Sequence, residues 1–207
     1  MTIETLGGPF AGFLLGYLLG STPFGIVLTR LTGAGDLRAI GSGSIGATNV
    51  LRTGRKDIAA LTLILDGAKG SAAILLANWL FPGVIAFPAL GALLGHLFPI
   101  WLRFRGGKGV ATFFGIILAY AIARELGWQA PAAYALVWIS ILLLTRFSSV
   151  AGMTAALSAP VAAALLGRFD VALLFLGMAL LICWMHRANL DRLLRGTEPR
   201  IGRSRDG

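Results

Sequence analysis

Cysteine and charged residues are scarce in this chain. Its 207 residues include one cysteine, Cys183, so no intrachain disulfide and no cysteine-based metal or redox motif can form. Charged residues make up 13% of the chain and its mean hydropathy is +0.80, values that exclude an ordinary soluble domain of this size. The period-2 alternation of a porin strand is also missing. These absences predict a helical membrane protein.

Long apolar runs support this prediction. A helix needs roughly 20 apolar residues to cross a bilayer, and we predict seven spans joined by gaps too short for a second domain. They cover residues 8–28, 58–80, 84–101, 110–124, 131–145, 150–166 and 171–184. The first run has no basic segment before it and is too long for a cleaved signal peptide, so we expect it to remain a transmembrane helix. We therefore expect an all-α integral membrane protein with one polytopic domain over residues 1–207.

Charge is distributed unevenly between the two predicted faces. The chain carries 18 basic and 9 acidic residues, a net charge of +9. On one face only Arg124 and Arg168 are basic, and Lys69 falls within a span. The positive-inside rule therefore predicts an external N-terminus and a cytoplasmic C-terminus, which requires an odd number of spans. The remaining basic residues share the cytoplasmic face: Arg30, Arg38, Arg52, Arg55, Lys56, Arg103, Arg105, Lys108, Arg146, Arg187, Arg192, Arg195, Arg200, Arg203 and Arg205.

One cytoplasmic segment is rich in glycine and hydroxyl groups. Residues 41–49, GSGSIGATN, contain three glycines, two serines, a threonine and an asparagine but no acid, and Arg52 follows. Glycines let the backbone curl so that several N–H groups point to one place, and hydroxyls add donors. Such a curl of donors suits an anion, most often phosphate.

A second cytoplasmic segment, residues 95–112, has the sequence GHLFPIWLRFRGGKGVAT and places Lys108 between glycines at the start of a predicted span. A lysine at a glycine-rich helix start can pair with phosphate while backbone N–H groups add contacts. A lone lysine is more often a membrane anchor. An anchor needs no glycines, however, so this pattern favours a phosphate contact.

Two further polar segments fall on the same face. Ser148 and Ser149 stand at a helix entry, where paired serines ordinarily cap the helix, and we predict that role. His186 and Asn189 are three residues apart and share a helix face. A histidine there can donate to an anion or act as acid or base, although a lone histidine at a helix end is more often structural.

Asp66 and Lys69 lie inside an apolar run. Charges within a membrane are costly and are functional by default, and the three-residue spacing suits an ion pair within one helix. Two interpretations stay open. The pair is either structural and self-neutralising, or it lines the site or bonds to the 41–49 loop.

Several motifs together resemble the bacterial acyl-phosphate:glycerol-3-phosphate acyltransferases, the PlsY family. They follow one another along almost the whole chain: GSTPFG (20–25), GSGSIGATNVLRT (41–53), the Asp-x-x-Lys-Gly pattern (66–70), GHLFP with FRGGKGVAT (95–112) and HRANL with RLLRGTE (186–198). The chain departs from the family pattern at Ser44, usually asparagine, and at Leu190, usually isoleucine. Ser44 keeps a hydrogen-bond donor.

This resemblance implies transfer of a fatty acyl group from acyl-phosphate to the 1-hydroxyl of sn-glycerol 3-phosphate. The products are lysophosphatidic acid and inorganic phosphate, and the reaction is the first acylation of phospholipid synthesis. Acyl-phosphate is already activated, so we expect no covalent enzyme intermediate, no metal and no cofactor. The enzyme then has to position the substrates and stabilise the developing charge. The implied location is the bacterial inner membrane, among membrane lipid, with the site on the cytoplasmic face. We expect no obligate protein partner and no nucleic acid.

The resemblance also implies roles for individual residues. Those expected to hold acyl-phosphate are Ser42, Gly43, Gly46, Thr48 and Asn49. Those expected to bind glycerol 3-phosphate are Arg52, Gly106, Gly107, Lys108, Ser148, His186 and Asn189. Those expected to support the site are Asp66, Lys69, His96, Ser149 and Glu198. Catalytic roles are expected of Ser42, Arg52, Lys108, His186 and Asn189. The proton acceptor stays open among His186, His96 and the donor's own phosphate oxygen, which the resemblance favours.

Two alternatives belong to other functional classes. A transporter for organophosphate or phosphate would explain Asp66 and Lys69, but carriers bind near the membrane midplane between internal repeats, and no such repeat is evident. A structural membrane protein with lipid-binding basic loops would not explain the glycines around Lys108.

Arg52→Lys provides a test of the first loop. Lysine loses the planar fork that meets phosphate through two parallel hydrogen bonds, so we expect kcat/KM for acyl transfer to fall by about tenfold or more. Near-normal activity of the purified variant would remove Arg52 from the site.

Overall fold

The computed structural model describes residues 3–202, and within them every regular element is helical. The tail residues Arg203 and Arg205 lie outside this part. The α-helices are α1 (Ile3–Gly20), α2 (Phe24–Leu31), α3 (Ala47–Val50), α4 (Lys56–Leu80), α5 (Ala86–Leu97), α6 (Val110–Ile122), α7 (Gln129–Thr145), α8 (Ser148–Leu165), α9 (Phe169–Met185) and α10 (Arg187–Leu194). Short 3₁₀ turns cover Leu51–Thr53 and Ile100–Leu102. The all-α prediction is confirmed for the described residues.

Each of the seven predicted spans contains an apolar helix, but the helices differ in length. Three stretches are long and apolar enough to cross a membrane: Gly7–Leu31, Lys56–Leu80 and Ser148–Leu165. The pair α9 and α10, bent by 55° where they meet, would make a fourth. Ala86–Leu102, Val110–Ile122 and Gln129–Thr145 are shorter apolar segments. The count of seven spans and the orientation of the termini therefore stay predictions.

The first predicted span is not one continuous helix. It breaks between Gly20 and Phe24, because Pro23 has no backbone N–H and disfavours helical geometry at Thr22 before it. A break in an apolar setting leaves polar groups to satisfy. Lys69 Nζ of α4 donates to the Thr22 carbonyl at 2.8 Å.

By its internal contacts the chain forms two compact units, Met1–Glu125 and Leu126–Gly207, and each is described by itself. The prediction of a single domain is not tested by this division.

Glycines bring the helices of the first unit into close contact. A Cβ added at Gly16 of α1 would overlap the backbone of Pro88 in α5, and one at Gly91 would overlap the Phe13 carbonyl. The α4–α6 pair is built in the same way, since a Cβ at Gly115 would overlap the Gly67 carbonyl. Small residues let helix backbones approach closely where no hydrophobic effect drives the packing, as in lipid.

In the second unit α8 packs against both α7 and α9. Its buried face is a row of alanines, since Ala151, Ala155, Ala159 and Ala163 are all fully buried. Phe175 and other large side chains of α9 lie buried in the same unit. The turn from α7 into α8 passes through Arg146, whose φ of 60° is left-handed.

Gly16→Ala tests whether close helix contact stabilises the first unit. Its Cβ has no room against the Pro88 backbone, so we expect a loss of about 1–3 kcal/mol, seen as a lower melting temperature in detergent. The matched control is Gly177→Ala in α9, where a Cβ meets nothing within 4 Å. Alanine is the better helix former, so this variant should be unchanged or slightly more stable. Equal melting temperatures for the two variants would contradict the packing argument.

Candidate active site

The 41–49 loop rests on a small apolar core. Leu37, Ile45 and Val50 are buried and belong to one cluster with Ile26 of α2 and Ile58 of α4. Burial of these side chains stabilises a segment whose glycines and hydroxyls would otherwise favour no single conformation. The loop is therefore held in place by its apolar residues.

Asn49 braces this loop from within. Its buried side chain donates from Nδ2 to the Leu37 carbonyl at 2.8 Å, and its Oδ1 accepts from the Ser42 N–H at 3.2 Å. The Gly43 N–H also has a local partner, since it donates to the Ile40 carbonyl just before the loop at 3.0 Å. The Ser42 side chain remains exposed. The observed bonds show that Asn49 stabilises the loop. Its expected contact with acyl-phosphate stays a prediction.

Arg52 lies against the same loop. Its Nη1 is 3.5 Å from Asn49 Oδ1, and a Cβ at Gly41 would overlap the Arg52 side chain. Gly41 also has a left-handed φ of 57°. Only glycine suits both conditions, which explains the first glycine of the motif. The structure thus brings Ser42, Asn49 and Arg52 together.

The remaining predicted residues of this segment lie where the loop enters α3. Gly46 precedes the helix with extended backbone, and Thr48 is half-buried in it. Gly43 has a left-handed φ of 66°. Their contact with acyl-phosphate stays a prediction.

Asp66, Lys69 and His96 form a buried polar cluster in the first unit. Lys69 Nζ lies 2.7 Å from Asp66 Oδ1, so the predicted ion pair within one helix is confirmed. His96 Nδ1 is 3.8 Å from the same oxygen. All three side chains are less than 5% exposed. Lys69 bonds to the broken first span at Thr22, not to the 41–49 loop. This contact favours a structural role for the pair.

The glycine-rich segment before α6 folds over His96. Gly107 N–H donates to the His96 carbonyl at 3.1 Å, and Gly106 N–H donates to the Leu97 carbonyl at 3.0 Å. A Cβ at Gly107 would overlap His96 Nε2, so this position requires glycine. Gly109, with a φ of 82°, comes directly before α6. Lys108 is therefore placed at the beginning of a helix, as its sequence context predicts.

The second unit holds another polar cluster, centred on Glu198. Its Oε1 accepts from Ser149 Oγ at 2.7 Å and from Asn189 Nδ2 at 2.6 Å, while Oε2 accepts from Arg192 Nε at 2.7 Å. The Glu198 side chain is 5% exposed. The chain returns to this position through Gly196, whose φ of 69° is left-handed. One carboxylate thus joins α8, α10 and the tail.

His186 lies at the junction of α9 and α10 and is buried. Its Nδ1 is 2.8 Å from the Ile182 carbonyl. A carbonyl only accepts, so Nδ1 carries the proton, and in the neutral ring Nε2 is an acceptor. The Asn189 N–H donates to the His186 carbonyl at 2.8 Å, which ties the two predicted residues together.

The expected capping role of the paired serines is wrong. The residue before α8 is Phe147, whose side chain has no acceptor with which to cap the helix. Ser148 is already the first helical residue, and Ser149 turns its hydroxyl to Glu198. The Ser149 hydroxyl donates to the carboxylate that the tail brings back, whereas a cap would accept from a backbone N–H. Nothing in the local pattern of serines indicates that distant partner.

Arg192 has a role that its position in the sequence does not reveal, since the charge distribution marks it only as a topology signal. In the structure it binds Glu198, six residues later, because Gly196 reverses the chain. The tail is fixed further by the Ile201 N–H, which donates to the Arg146 carbonyl at 2.8 Å. Arg200 also stacks over the Phe147 ring, 5.1 Å from its centre.

The Glu198 carboxylate is held in its charged form. Burial alone would raise the pKa of Glu198, but hydrogen bonds from Asn189 and Ser149 and the Arg192 guanidinium lower this pKa below the ordinary value. The carboxylate therefore acts only as an acceptor at neutral pH, and each of its neighbours must present a donor to it.

Comparison with known proteins addresses the family directly. The family model described as "Glycerol-3-phosphate acyltransferase" matches residues 10–196. The chain belongs to this family. The resemblance noted from the motifs is thereby confirmed, and the transporter alternative finds no support. A glycerol-3-phosphate acyltransferase of Mesorhizobium japonicum is 50% identical over 195 residues, 94% of this chain and 97% of the relative. One of Erythrobacter litoralis is 53% identical over 194 residues, 94% and 95% of the two chains.

Solved structures of the glycerol-3-phosphate acyltransferase family share the fold. PlsY (YgiH), an integral membrane glycerol 3-phosphate acyltransferase, in its glycerol 3-phosphate form is 38% identical with a TM-score of 0.85, over 95% of this chain and 96% of that one. Its lysophosphatidic acid form is 36% identical with a TM-score of 0.83, over the same shares. The all-helical architecture is therefore that of an integral membrane acyltransferase.

Glu198→Gln tests the carboxylate at the centre of the second cluster. The carboxylate accepts three hydrogen bonds, whereas the amide has one acceptor atom and no charge, so we expect a loss of about 1–3 kcal/mol at neutral pH. A carboxylate with a lowered pKa stabilises the fold above its unfolded pKa and loses this effect when protonated. The gap in melting temperature between wild type and variant should therefore shrink below about pH 4.5.

Ser149→Ala is a second variant of the same cluster, with a smaller expected loss of stability. It removes one donor but keeps the carboxylate, so it should lower the melting temperature less than Glu198→Gln. A gap for Glu198→Gln that is the same at pH 4 and pH 7 would show that the charge of Glu198 does not stabilise the fold.

Proposed function

We propose that this acyltransferase moves a fatty acyl group from acyl-phosphate to the 1-hydroxyl of sn-glycerol 3-phosphate, releasing 1-acyl-glycerol 3-phosphate and inorganic phosphate. The observation that carries this proposal is the match to PlsY (YgiH) in both a glycerol 3-phosphate form and a lysophosphatidic acid form. One of these molecules is the acyl acceptor of such a reaction and the other is its product.

In the proposed step the hydroxyl oxygen on C1 attacks the acyl carbonyl carbon. The bond from that carbon to the phosphate oxygen breaks, and its electron pair leaves with the phosphate. The proton of the hydroxyl passes to an oxygen of the departing phosphate, so atoms and charge balance without a covalent enzyme intermediate. The protein then has to align the two substrates and stabilise the charge on the phosphate.

The 41–49 loop suits the acyl-phosphate. Ser42 offers this phosphate an exposed hydroxyl. The guanidinium of Arg52 lies beside the same loop and supplies a cation for a second phosphate. The segment containing Gly106, Gly107 and Lys108 supplies a second cation at the start of a helix, where the N–H groups favour an anion. We assign Arg52 and Lys108 to the phosphate of glycerol 3-phosphate, and Ser148, His186 and Asn189 to its glycerol part.

The surroundings of the two histidines support substrate-assisted proton transfer. His96 lies under Gly107 and beside Asp66 and Lys69, so its ring is enclosed by the packing of the first unit. His186 Nδ1 faces a backbone carbonyl, which does not stabilise an imidazolium as the carboxylate of a catalytic triad does. We therefore infer that His186 binds the substrate and that the phosphate of the donor takes the proton.

The membrane arrangement belongs to the same proposal. Seven spans, an external N-terminus and a cytoplasmic site in the bacterial inner membrane agree with the distribution of basic residues. Acyl-phosphate carries a lipid chain and a charged head, so it needs a site at the boundary between lipid and water.

Phosphate release tests the reaction and the donor together. Purified protein with palmitoyl-phosphate and glycerol 3-phosphate should release phosphate and form lysophosphatidate, whereas palmitoyl-CoA in a parallel tube should give neither. Lys108→Met should lower kcat/KM by about 10- to 100-fold, since a charged hydrogen bond to phosphate is lost. Lys56→Met, at an exposed position, is the matched control and should stay within about twofold of wild type. Turnover with palmitoyl-CoA but not with palmitoyl-phosphate would overturn the proposal that acyl-phosphate is the acyl donor.

A further inference from the structure

The GSTPFG segment, residues 20–25, is a motif to which the proposed reaction assigns no role. It spans the break between α1 and α2. A break inside an apolar run exposes backbone polar groups that a continuous helix would satisfy, so it is unfavourable unless its contacts compensate. These contacts reach both the residues that precede Lys108 and the 41–49 loop, and all of them belong to the first unit.

Ser21 connects the GSTPFG segment to the residues that precede Lys108. Its side chain is 1% exposed, and its Oγ accepts from Trp101 Nε1 at 2.7 Å while donating to the Leu18 carbonyl at 2.8 Å. Because the hydroxyl both donates and accepts, its orientation is fixed. Trp101 belongs to the second 3₁₀ turn, from which the chain continues to Lys108.

The end of α1 holds the same region at two further points. Tyr17 Oη donates to the Phe98 carbonyl at 2.7 Å. A Cβ added at Gly95 would overlap the Tyr17 carbonyl, so the backbones of α5 and α1 lie in direct contact there. The carbonyls at the end of α5 in turn accept from the N–H groups of Gly106 and Gly107. The glycines before α6 are therefore held in position by the end of α1.

Gly25 connects the GSTPFG segment to the 41–49 loop. A Cβ added at Gly25 would overlap the Ile45 carbonyl, so the first turn of α2 lies directly against the backbone of the loop. Gly25 is not among the residues with a left-handed φ, so the contact alone requires glycine here. The next residue, Ile26, belongs to the apolar cluster that also contains Ile45 and Val50.

The proposed reaction depends on how these two regions are placed relative to each other. Acyl-phosphate is assigned to the 41–49 loop, and Lys108 is assigned to the phosphate of glycerol 3-phosphate. The reacting oxygen and carbon must approach to roughly 3–3.5 Å, and a misplacement of about 1 Å can lower the rate on the order of 100-fold. An element that contacts both regions therefore affects the chemical step without binding either substrate.

We propose that the GSTPFG segment is the positioning element that fixes the 41–49 loop relative to Lys108, with Gly25 and Ser21 as its positioning residues. This inference rests on the proposed function. Gly25 should have the larger effect, because backbone in contact with backbone has no room to adjust. The bond from Ser21 to Trp101 is one of several contacts on its side.

Gly25→Ala tests this inference. With saturating palmitoyl-phosphate and glycerol 3-phosphate, kcat should fall by about 30- to 100-fold, because the new Cβ displaces the 41–49 loop. The KM for glycerol 3-phosphate should stay within about threefold of wild type, since a loss of alignment affects the transition state more than binding. The stoichiometry of glycerol 3-phosphate binding, measured by calorimetry, should be unchanged. Stoichiometry counts the intact sites, so a merely unfolded fraction would lower it.

Gly8→Ala is the matched control. It makes the same change in the same apolar segment, but its Cβ would meet Val84 Cγ2 at 3.6 Å, an ordinary contact. Its kcat should therefore stay within about twofold of wild type.

A double-mutant cycle tests the other contact. Ser21→Ala removes the acceptor and Trp101→Phe removes the N–H donor of the same hydrogen bond. Each should lower kcat by about 3- to 10-fold, and the double variant should lose no more than either single variant. Additive losses would show that the two residues act separately, which would overturn the role of this bond.

The outcomes separate this inference from the proposed function. No turnover by folded wild type would overturn the function itself. A kcat for Gly25→Ala within about twofold of wild type would overturn only the positioning role, as would a loss of kcat matched by an equal loss of binding stoichiometry. If Gly25→Ala does not fold, as judged by its melting curve, the cycle of Ser21 and Trp101 decides by the same criteria.

Discussion

The first unit depends on the hydrogen bond from Lys69 to the Thr22 carbonyl, because this bond satisfies a backbone group at the break in the first apolar segment. A chain in lipid must satisfy every backbone polar group internally. Pro23 breaks the first apolar segment, and Lys69 reaches from α4 to a carbonyl at this break while Asp66 compensates its charge. Trp101 donates to the Ser21 hydroxyl beside it at 2.7 Å. Without these contacts the break would be unfavourable. With them, it connects α1 to α4 and to the 3₁₀ turn Ile100–Leu102, from which the chain continues to Lys108.

Both polar regions use the same principle, in which one side chain with several hydrogen bonds holds a segment that lies mostly outside the long helices. Asn49 does this for the 41–49 loop, and Glu198 does it for the tail. Glycine is required wherever the backbone must approach such a group, as at Gly41 beside Arg52 and at Gly107 beside His96. The motifs therefore combine two kinds of residue, those able to meet a substrate and those that give the segment its shape.

Family membership and geometry contribute different parts of the argument. The matches over residues 10–196 show which enzyme family the chain belongs to. The bonds around His186 and Asn189 then show which atoms are donors and which are acceptors, and this is information that a family name does not contain. Leu190, the mild departure in the last motif, is 42% exposed on α10, whereas the neighbouring Asn189 is buried.

The amino-acid sequence by itself determined the helical class, the positions of the apolar segments and the ion pair of Asp66 and Lys69, because hydrophobic runs and helical spacing are local properties. It also identified the glycine-rich segments, because clustered glycines and hydroxyls are unusual among apolar runs. Pro23 signals the break in the first span locally, but the apolar run around it hides that signal. Only the tertiary structure decided that Lys69 bonds to Thr22 and that Ser149 bonds to Glu198 instead of capping α8. It also decided that Asn189 Oδ1 has no hydrogen-bond partner among the described residues. The first two contacts join residues 47 and 49 positions apart, and no pattern along the chain specifies which distant donor will meet which acceptor.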